Sequence, residues 1–222
     1  MVAGASSDAA GRHDVFVVPE TMQKPLCGKS RPHFFRGVAT AVTKLFNIVE
    51  PDVAVFGTKD YQQWRIISTL VRDLDYKIKI IPGEIQRETD GLALSSRNKG
   101  LTPESRRKAT CIFQGLNAAM GAWQAGVLQS APLCQIVKDH IADGEGEVDY
   151  VEVVDAEHLQ PIDVLAERPA VIAVAAWFAG HSGVKVRLID NMEMRGLTRI
   201  DPLYTRSLDH TRGTSPVAPT VT

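Results

Sequence analysis

Val53-Ala-Val-Phe-Gly-Thr-Lys-Asp-Tyr-Gln-Gln-Trp-Arg-Ile-Ile-Ser-Thr-Leu-Val-Arg-Asp73 changes its hydrophobic period part-way along. Val53 to Phe56 is a short continuous apolar run ended by Gly57, as a buried strand would be. From Asp60, a residue able to cap a helix, Trp64, Ile67, Leu70 and Val71 recur at helical spacing to about Asp73. Upstream, Val38, Val42, Leu45, Phe46 and Val49 mark a helix over Phe35 to Val49, with Pro51 as its stop. Downstream, Lys77 to Ile81 alternates as a strand and Pro82-Gly83 turns the chain. Helix, strand, helix, strand at these lengths predicts a parallel sheet in an α/β fold.

The texture changes after Arg97. Thr102-Pro103-Glu104 caps and opens a helix expected to run through about Trp123, and a second is expected from Ala131 to Ala142. Val148 to Val154, Ala170 to Phe178 and Val184 to Asp190 then read as strands separated by turns rich in glycine. The expected organisation is a disordered 1–14, an α/β domain over 15–98, a small α+β domain over 99–195 and a largely disordered 196–222.

Composition narrows the class. With 25 basic and 26 acidic side chains the formal charge is -1, which gives nucleic acid or a membrane surface no electrostatic hold. The longest apolar run, about Ala170 to Ala179, is far short of the roughly 20 residues of a spanning helix. Residues 1–12 lack the apolar core of a secretory signal, and Asp8 with a lone Arg12 does not suit a transit peptide. Cys27, Cys111 and Cys134 have no metal-ligand spacing, and an odd count reads as reduced thiols. The expectation is a soluble, cytoplasmic protein without a metal site of its own.

Two stretches carry chemistry. Gly57-Thr-Lys-Asp60 lies between strand and helix, where open α/β sheets bind nucleotides and phosphates. There Gly57 lets a ligand approach the backbone, Lys59 offers a cation and Asp60 can accept from a ribose hydroxyl, while Gln62 and Gln63 present amides on the first helical turn. The structural alternative is that Gly57 only turns the chain, Asp60 only caps the helix and Lys59 is solvated. Arg87-Glu-Thr-Asp-Gly-Leu-Ala-Leu-Ser-Ser-Arg-Asn98 brings two hydroxyls beside Arg97, a set able to hold a triphosphate. The alternative there is a polar loop whose serines cap the next element.

Together with Leu26-Cys-Gly-Lys-Ser-Arg-Pro32, Phe35-Arg-Gly-Val-Ala-Thr40, Thr43-Lys-Leu-Phe-Asn47, Val148-Asp-Tyr-Val-Glu-Val-Val-Asp155 and Arg187-Leu-Ile-Asp-Asn191, these stretches resemble the pantothenate synthetase family in order and spacing. The resemblance covers roughly Val18 to Met192, and Phe34-Phe35-Arg36 and Asp60-Tyr-Gln-Gln-Trp64 are closer to its plant and fungal branch. It implies a Rossmann-like nucleotidyltransferase (HUP-type) sheet with a small C-terminal lid, usually in a homodimer. It also implies ATP-dependent ligation of D-pantoate to β-alanine through a pantoyl-adenylate, with Mg2+ accompanying ATP.

Carried over by position, Gly57, Thr58, Lys59 and Asp60 would form one ATP-contacting loop. Leu94, Ser95, Ser96 and Arg97 would form the second, and Gln86 would meet adenine through its backbone. Lys59, Ser95, Ser96 and Arg97 would carry the electrostatic catalysis at phosphorus. Gln63 would bind pantoate, and Arg31 matches an arginine near the site. Leu94 stands where Met is usual, Thr58 where Glu or Lys is commoner, and His33-Phe34 replaces a Gly-His pair, so no catalytic role passes to His33. The family's H-x-G-H motif should precede Val15, and none of the six histidines forms one. The chain is therefore expected to correspond to the C-terminal two-thirds of such an enzyme, with little or no ligase activity alone. The alternative is a non-catalytic interaction module that pairs with a full-length synthetase. A parallel sheet without its first strands is expected to expose an apolar edge and face.

Overall fold

A computed structural model of the chain describes residues 14–165 and 168–195. Apart from Asp14, the ends expected to be disordered lie outside the described residues. A four-residue helix α1 (Cys27–Ser30) leads into α2 (Phe34–Val49), β1 (Val53–Gly57), α3 (Tyr61–Asp73) and β2 (Lys79–Gly83). After the polar segment come α4 (Pro103–Lys108), α5 (Cys111–Gln124), α6 (Ser130–Asp143), β3 (Glu147–Asp155), β4 (Ala170–Ala179) and β5 (Lys185–Met194). β1 and β2 pair in parallel across the α3 crossover, as the sequence predicts. β3, β4 and β5 form an antiparallel sheet with β4 in the middle.

Several expected elements differ in detail, β5 among them, which runs on past Asp190 to Met194. β2 begins and ends two residues later than its alternation predicts, with Phe56 paired to Pro82 and Gly57 to Gly83. Pro82 is tolerated because β1 is the one strand paired to β2 among the described residues, so its missing N–H faces an unpaired edge. The helix expected over 103–123 is two helices. Thr110 turns its hydroxyl back to the Arg107 carbonyl at 2.8 Å, the local competition that interrupts helices. Gly144 packs against this break, where an added Cβ would stand 2.5 Å from the Cys111 sulfur. On α2, Val38 and Val42 pack inward as expected, but Leu45 and Val49 are exposed and Phe35, Ala39 and Phe46 form the buried face.

The unbroken apolar run of β4 has a packing cause. Ile172, Val174, Ala176 and Phe178 face the core built on α5 and α6, with Ile112, Leu116, Leu133, Val137 and Ile141. Val171 and Ala173 face the other core, with Ile66, Ile67 and Leu70 of α3. A strand buried on both faces has no polar face to show. The antiparallel sheet is thus a middle layer, and its α3 side stands beside the β1–α3 loop. On β1, by contrast, Ala54 and Phe56 face the core while Val53 and Val55 stay exposed, at 47% and 67%.

Candidate functional site

The β1–α3 loop is a single 3-10 turn, Thr58–Asp60. Thr58 anchors it by donating its hydroxyl to the Gly83 carbonyl at 2.9 Å. Asp60 holds the position before α3 but makes no capping hydrogen bond with its side chain, contrary to the capping reading, so its carboxylate is left facing a cleft. An open cleft is lined by Arg31, Lys59, Asp60, Gln63 and Arg97, five of the residues singled out from sequence. Arg31, Lys59 and Arg97 form no ion pair there among the described residues. Other arginines do: Arg87 with Asp190, Arg106 with Glu88 and Asp90, Arg187 with Asp149.

Unpaired cations side by side resist their own charge. Burial, and then the charge of Arg97, hold the Arg31 guanidinium below its usual range, with Arg187 adding to the effect and Cys27 and Asp60 opposing it. The guanidinium lies 3.5 Å over the centroid of Phe34, which holds the charge without neutralising it. The residues that frame this arginine are tightly placed. A Cβ on Gly28 would stand 1.6 Å from the Gln23 carbonyl oxygen, so only glycine closes α1 onto that strand of chain.

The second stretch reaches the site only in part. Arg87 bridges to Ala93 and the Leu94 N–H donates to the Gln86 carbonyl at 2.8 Å, which folds the segment back on itself. Ser95 lines a small cavity together with Lys59, Asn98 and Asp190, while its Oγ accepts from the Arg97 N–H at 3.3 Å. The capping reading of Ser95 is therefore realised beside its place near Lys59. Ser96 starts the next 3-10 turn, and Leu94 is exposed. Gly57, Thr58, Gln86, Leu94 and Ser96 line neither cavity.

Arg187, Asp149 and Tyr150, given no role from the sequence, complete the site together with Gln62. Arg187 is buried and donates to the Asp149 carboxylate at 2.6 and 2.9 Å, to Ser30 Oγ at 3.4 Å and to Cys27 Sγ at 3.5 Å. Tyr150 stands 3.3 Å from the same sulfur, and burial pushes its phenol well up. Gln62 accepts from the Cys27 N–H and donates to the Met22 and Pro25 carbonyls. The readable signal was polar residues interrupting apolar strands: Arg187, Asp190 and Asn191 in β5, Asp149 in β3. No helix among the described residues is long and apolar enough to cross a membrane.

A model of the pantoate–β-alanine ligase family matches residues 6–193. The chain belongs to this family. It is 53% identical over 182 residues to a pantoate–β-alanine ligase of Lotus japonicus, covering 82% of this chain and 57% of that one. A pantothenate synthetase of Thermotoga neapolitana is 45% identical, covering 79% and 61%. Among solved structures, the pantothenate synthetase of Thermus thermophilus superposes with a TM-score of 0.72 at 37% identity, covering 82% of this chain and 64% of that one. The pantoate–β-alanine ligase of Francisella tularensis, complexed with β,γ ATP and β-alanine, gives a TM-score of 0.58 at 31% identity, over 80% and 57%. The chain thus spans a little under two thirds of these relatives. Its parallel β1–α3–β2 unit and following α+β part are those expected of a pantoate–β-alanine ligase.

Proposed function

We propose that this chain supplies one wall of a site that joins D-pantoate to β-alanine at the expense of ATP. The observation that carries this reading is the cleft in which Arg31, Lys59 and Arg97 stand beside Asp60 and Gln63 without an ion pair among the described residues. Such a set suits a polyanion, a ribose hydroxyl and a small hydroxy acid. In the first step the pantoate carboxylate attacks the α-phosphorus of ATP and the bond to pyrophosphate breaks. The amine of β-alanine then attacks the acyl carbon, AMP leaves with the electrons of the acyl–oxygen bond, and the nitrogen loses a proton.

Lys59 and Arg97, with Ser95 and Ser96, meet the charge that develops on the phosphates. This is electrostatic catalysis that needs no covalent intermediate on the protein. Asp60 and Gly57 take the ribose, Gln63 takes pantoate, Thr58, Gln86 and Leu94 contribute backbone to the nucleotide, and Arg31 adds a further cation. Mg2+ enters on the phosphates of ATP. These 222 residues hold no H-x-G-H motif, so ligation would need a second wall, carried on another stretch of polypeptide. A cytoplasmic homodimer is the expected setting.

Calorimetric titration of ATP into the chain, beside Lys59→Ala and Arg97→Ala, tests this reading. Binding by the parent chain, with affinity lower by about tenfold in each variant, is expected. Equal weak binding by all three would show the two loops to be idle. The exposed Val53 and Val55 of β1 favour a second reading, an interaction module that pairs with a full-length ligase. Co-purification of a full-length ligase together with failure to bind ATP would select it.

A further inference from the structure

Asp190 and Asn191 are consecutive in β5, each 4% exposed, between the apolar residues Leu188 and Ile189 on one side and Met192 on the other. Burying a carboxylate and an amide in such a strand is costly unless every polar atom finds a partner. The side chains of successive strand residues leave on opposite faces, so two neighbours can reach two different segments. Asn191 donates both hydrogens of its amide to the β1–α3 loop, at 2.9 Å to the Thr58 carbonyl and 3.0 Å to the Lys59 carbonyl. Asp190 accepts a two-pronged grip from Arg87, at 2.6 and 2.9 Å.

Arg87 opens the segment that ends in Ser95, Ser96 and Arg97. It donates also to the Gly91 carbonyl at 3.0 Å and lies 4.3 Å over the Phe113 ring, so its own position is fixed. The Asn191 N–H closes the arrangement by donating to Asp190 Oδ1 at 2.8 Å. The two segments that bear Lys59 and Arg97 are thus held by adjacent residues of one strand, which the packing of β4 and β5 keeps in place.

We infer that the Asp190-Asn191 pair is a positioning element, a brace that sets the separation of the Lys59 and Arg97 loops and so fits the cleft to a triphosphate. The inference rests on the ATP reading of the cleft, but the brace itself can be tested without ligand. Asn191→Asp keeps the shape and removes both donors. Hydrogen exchange read by mass spectrometry on the ligand-free chain is expected to quicken in peptides covering 57–63 and to stay unchanged in 87–98. Asp190→Asn, which loses the charge gripped by Arg87, is expected to show the reverse pattern. Should Asn191→Asp fail to fold, Asn191→Ser takes its place with the same expected pattern.

Ligand binding then separates positioning from support. Each variant is expected to lose about tenfold in affinity for ATP, whose β- and γ-phosphates call on both Lys59 and Arg97, and less than about threefold for AMP, which lacks those phosphates. Exchange that quickens uniformly over the chain, or in neither loop, would overturn the brace. Equal losses for ATP and AMP would reduce it to general support and overturn its positioning role. A parent chain that binds no ATP would refute the reading of the cleft and the triphosphate fit drawn from it, while the exchange pattern alone would still decide the brace.

Discussion

Gln62 and Gln63 stand side by side on the first turn of α3, and of their two side chains only that of Gln62 is hydrogen-bonded among the described residues. Its amide holds the Cys27 N–H and the Met22 and Pro25 carbonyls, while the Gln63 side chain has no hydrogen-bond partner among the described residues and lines the cleft. Two identical residues therefore have different work. Gln62→Ala leaves one buried donor and two carbonyls without partners, and is expected to cost roughly 2–4 kcal/mol in denaturant unfolding. Gln63→Ala is expected to change stability by less than about 0.5 kcal/mol. If the proposed role holds, it weakens binding of pantoate in the assembled site. A stability loss of the same size in both variants would contradict this division.

The Arg187–Asp149 pair is a second case in which removal of one partner matters more than the net value of the pair. Arg187 is buried, and its other neighbours, Ser30 Oγ and Cys27 Sγ, are poor substitutes for a carboxylate. Asp149→Ala is expected to destabilise by about 3 kcal/mol because the guanidinium charge stays behind unpaired. Arg187→Met in the same background should recover part of that loss, since it withdraws the charge as well. Urea unfolding of both variants and of the double variant measures the difference. Additive losses would mean that the pair is not coupled.

Much of the fold was legible because periodicity and punctuation agreed with packing. The α3 stripe, the Thr102-Pro103 start and the three later strands were all readable. What escaped depended on non-local contacts. Leu45 and Val49 fit a helical stripe, yet the surface that α2 meets is decided by Phe46 against Phe56 and Tyr76. Pro82 reads as a turn locally and is a strand residue only because β1 pairs it to Phe56. In the site, the loop bearing Lys59 and Asp60 was visible as a strand-to-helix junction. Asn191, which holds it through two carbonyls, lies more than a hundred positions away, and nothing in the loop itself names that residue.

The uncovered face of β1 gives a prediction about behaviour in solution. Val53 and Val55 are exposed on a parallel two-stranded sheet, beyond α2 residues such as Ile48 that are also exposed, at 76%. Bare apolar strand faces next to an unpaired edge favour self-association. Val55→Lys is expected to lower light scattering of the concentrated chain while changing unfolding free energy by less than about 0.5 kcal/mol, as befits an exposed site. A clear loss of stability would show instead that this face is covered in the chain as it exists.

The buried thiols and phenols give the chain a stability limit on the alkaline side. Burial pushes the Cys111 thiol from its ordinary 9.0 up to about 11, with backbone hydrogen bonds opposing and Asp143 adding to the shift. Burial likewise raises Cys134, Tyr61 and Tyr150. Each of these groups is neutral when protonated, and the folded chain holds that proton more tightly than the unfolded one. The stability linked to Cys111 is therefore fully present below about pH 9 and is lost as pH rises through about 11. Urea midpoints measured at steps from pH 7.5 to 11 are expected to stay level at first and then fall over that window. Cys111→Ala should flatten the lower part of the fall, where the tyrosines have yet to ionise. An unchanged slope in the variant would remove Cys111 from the linkage and leave the phenols and Cys134 as its source.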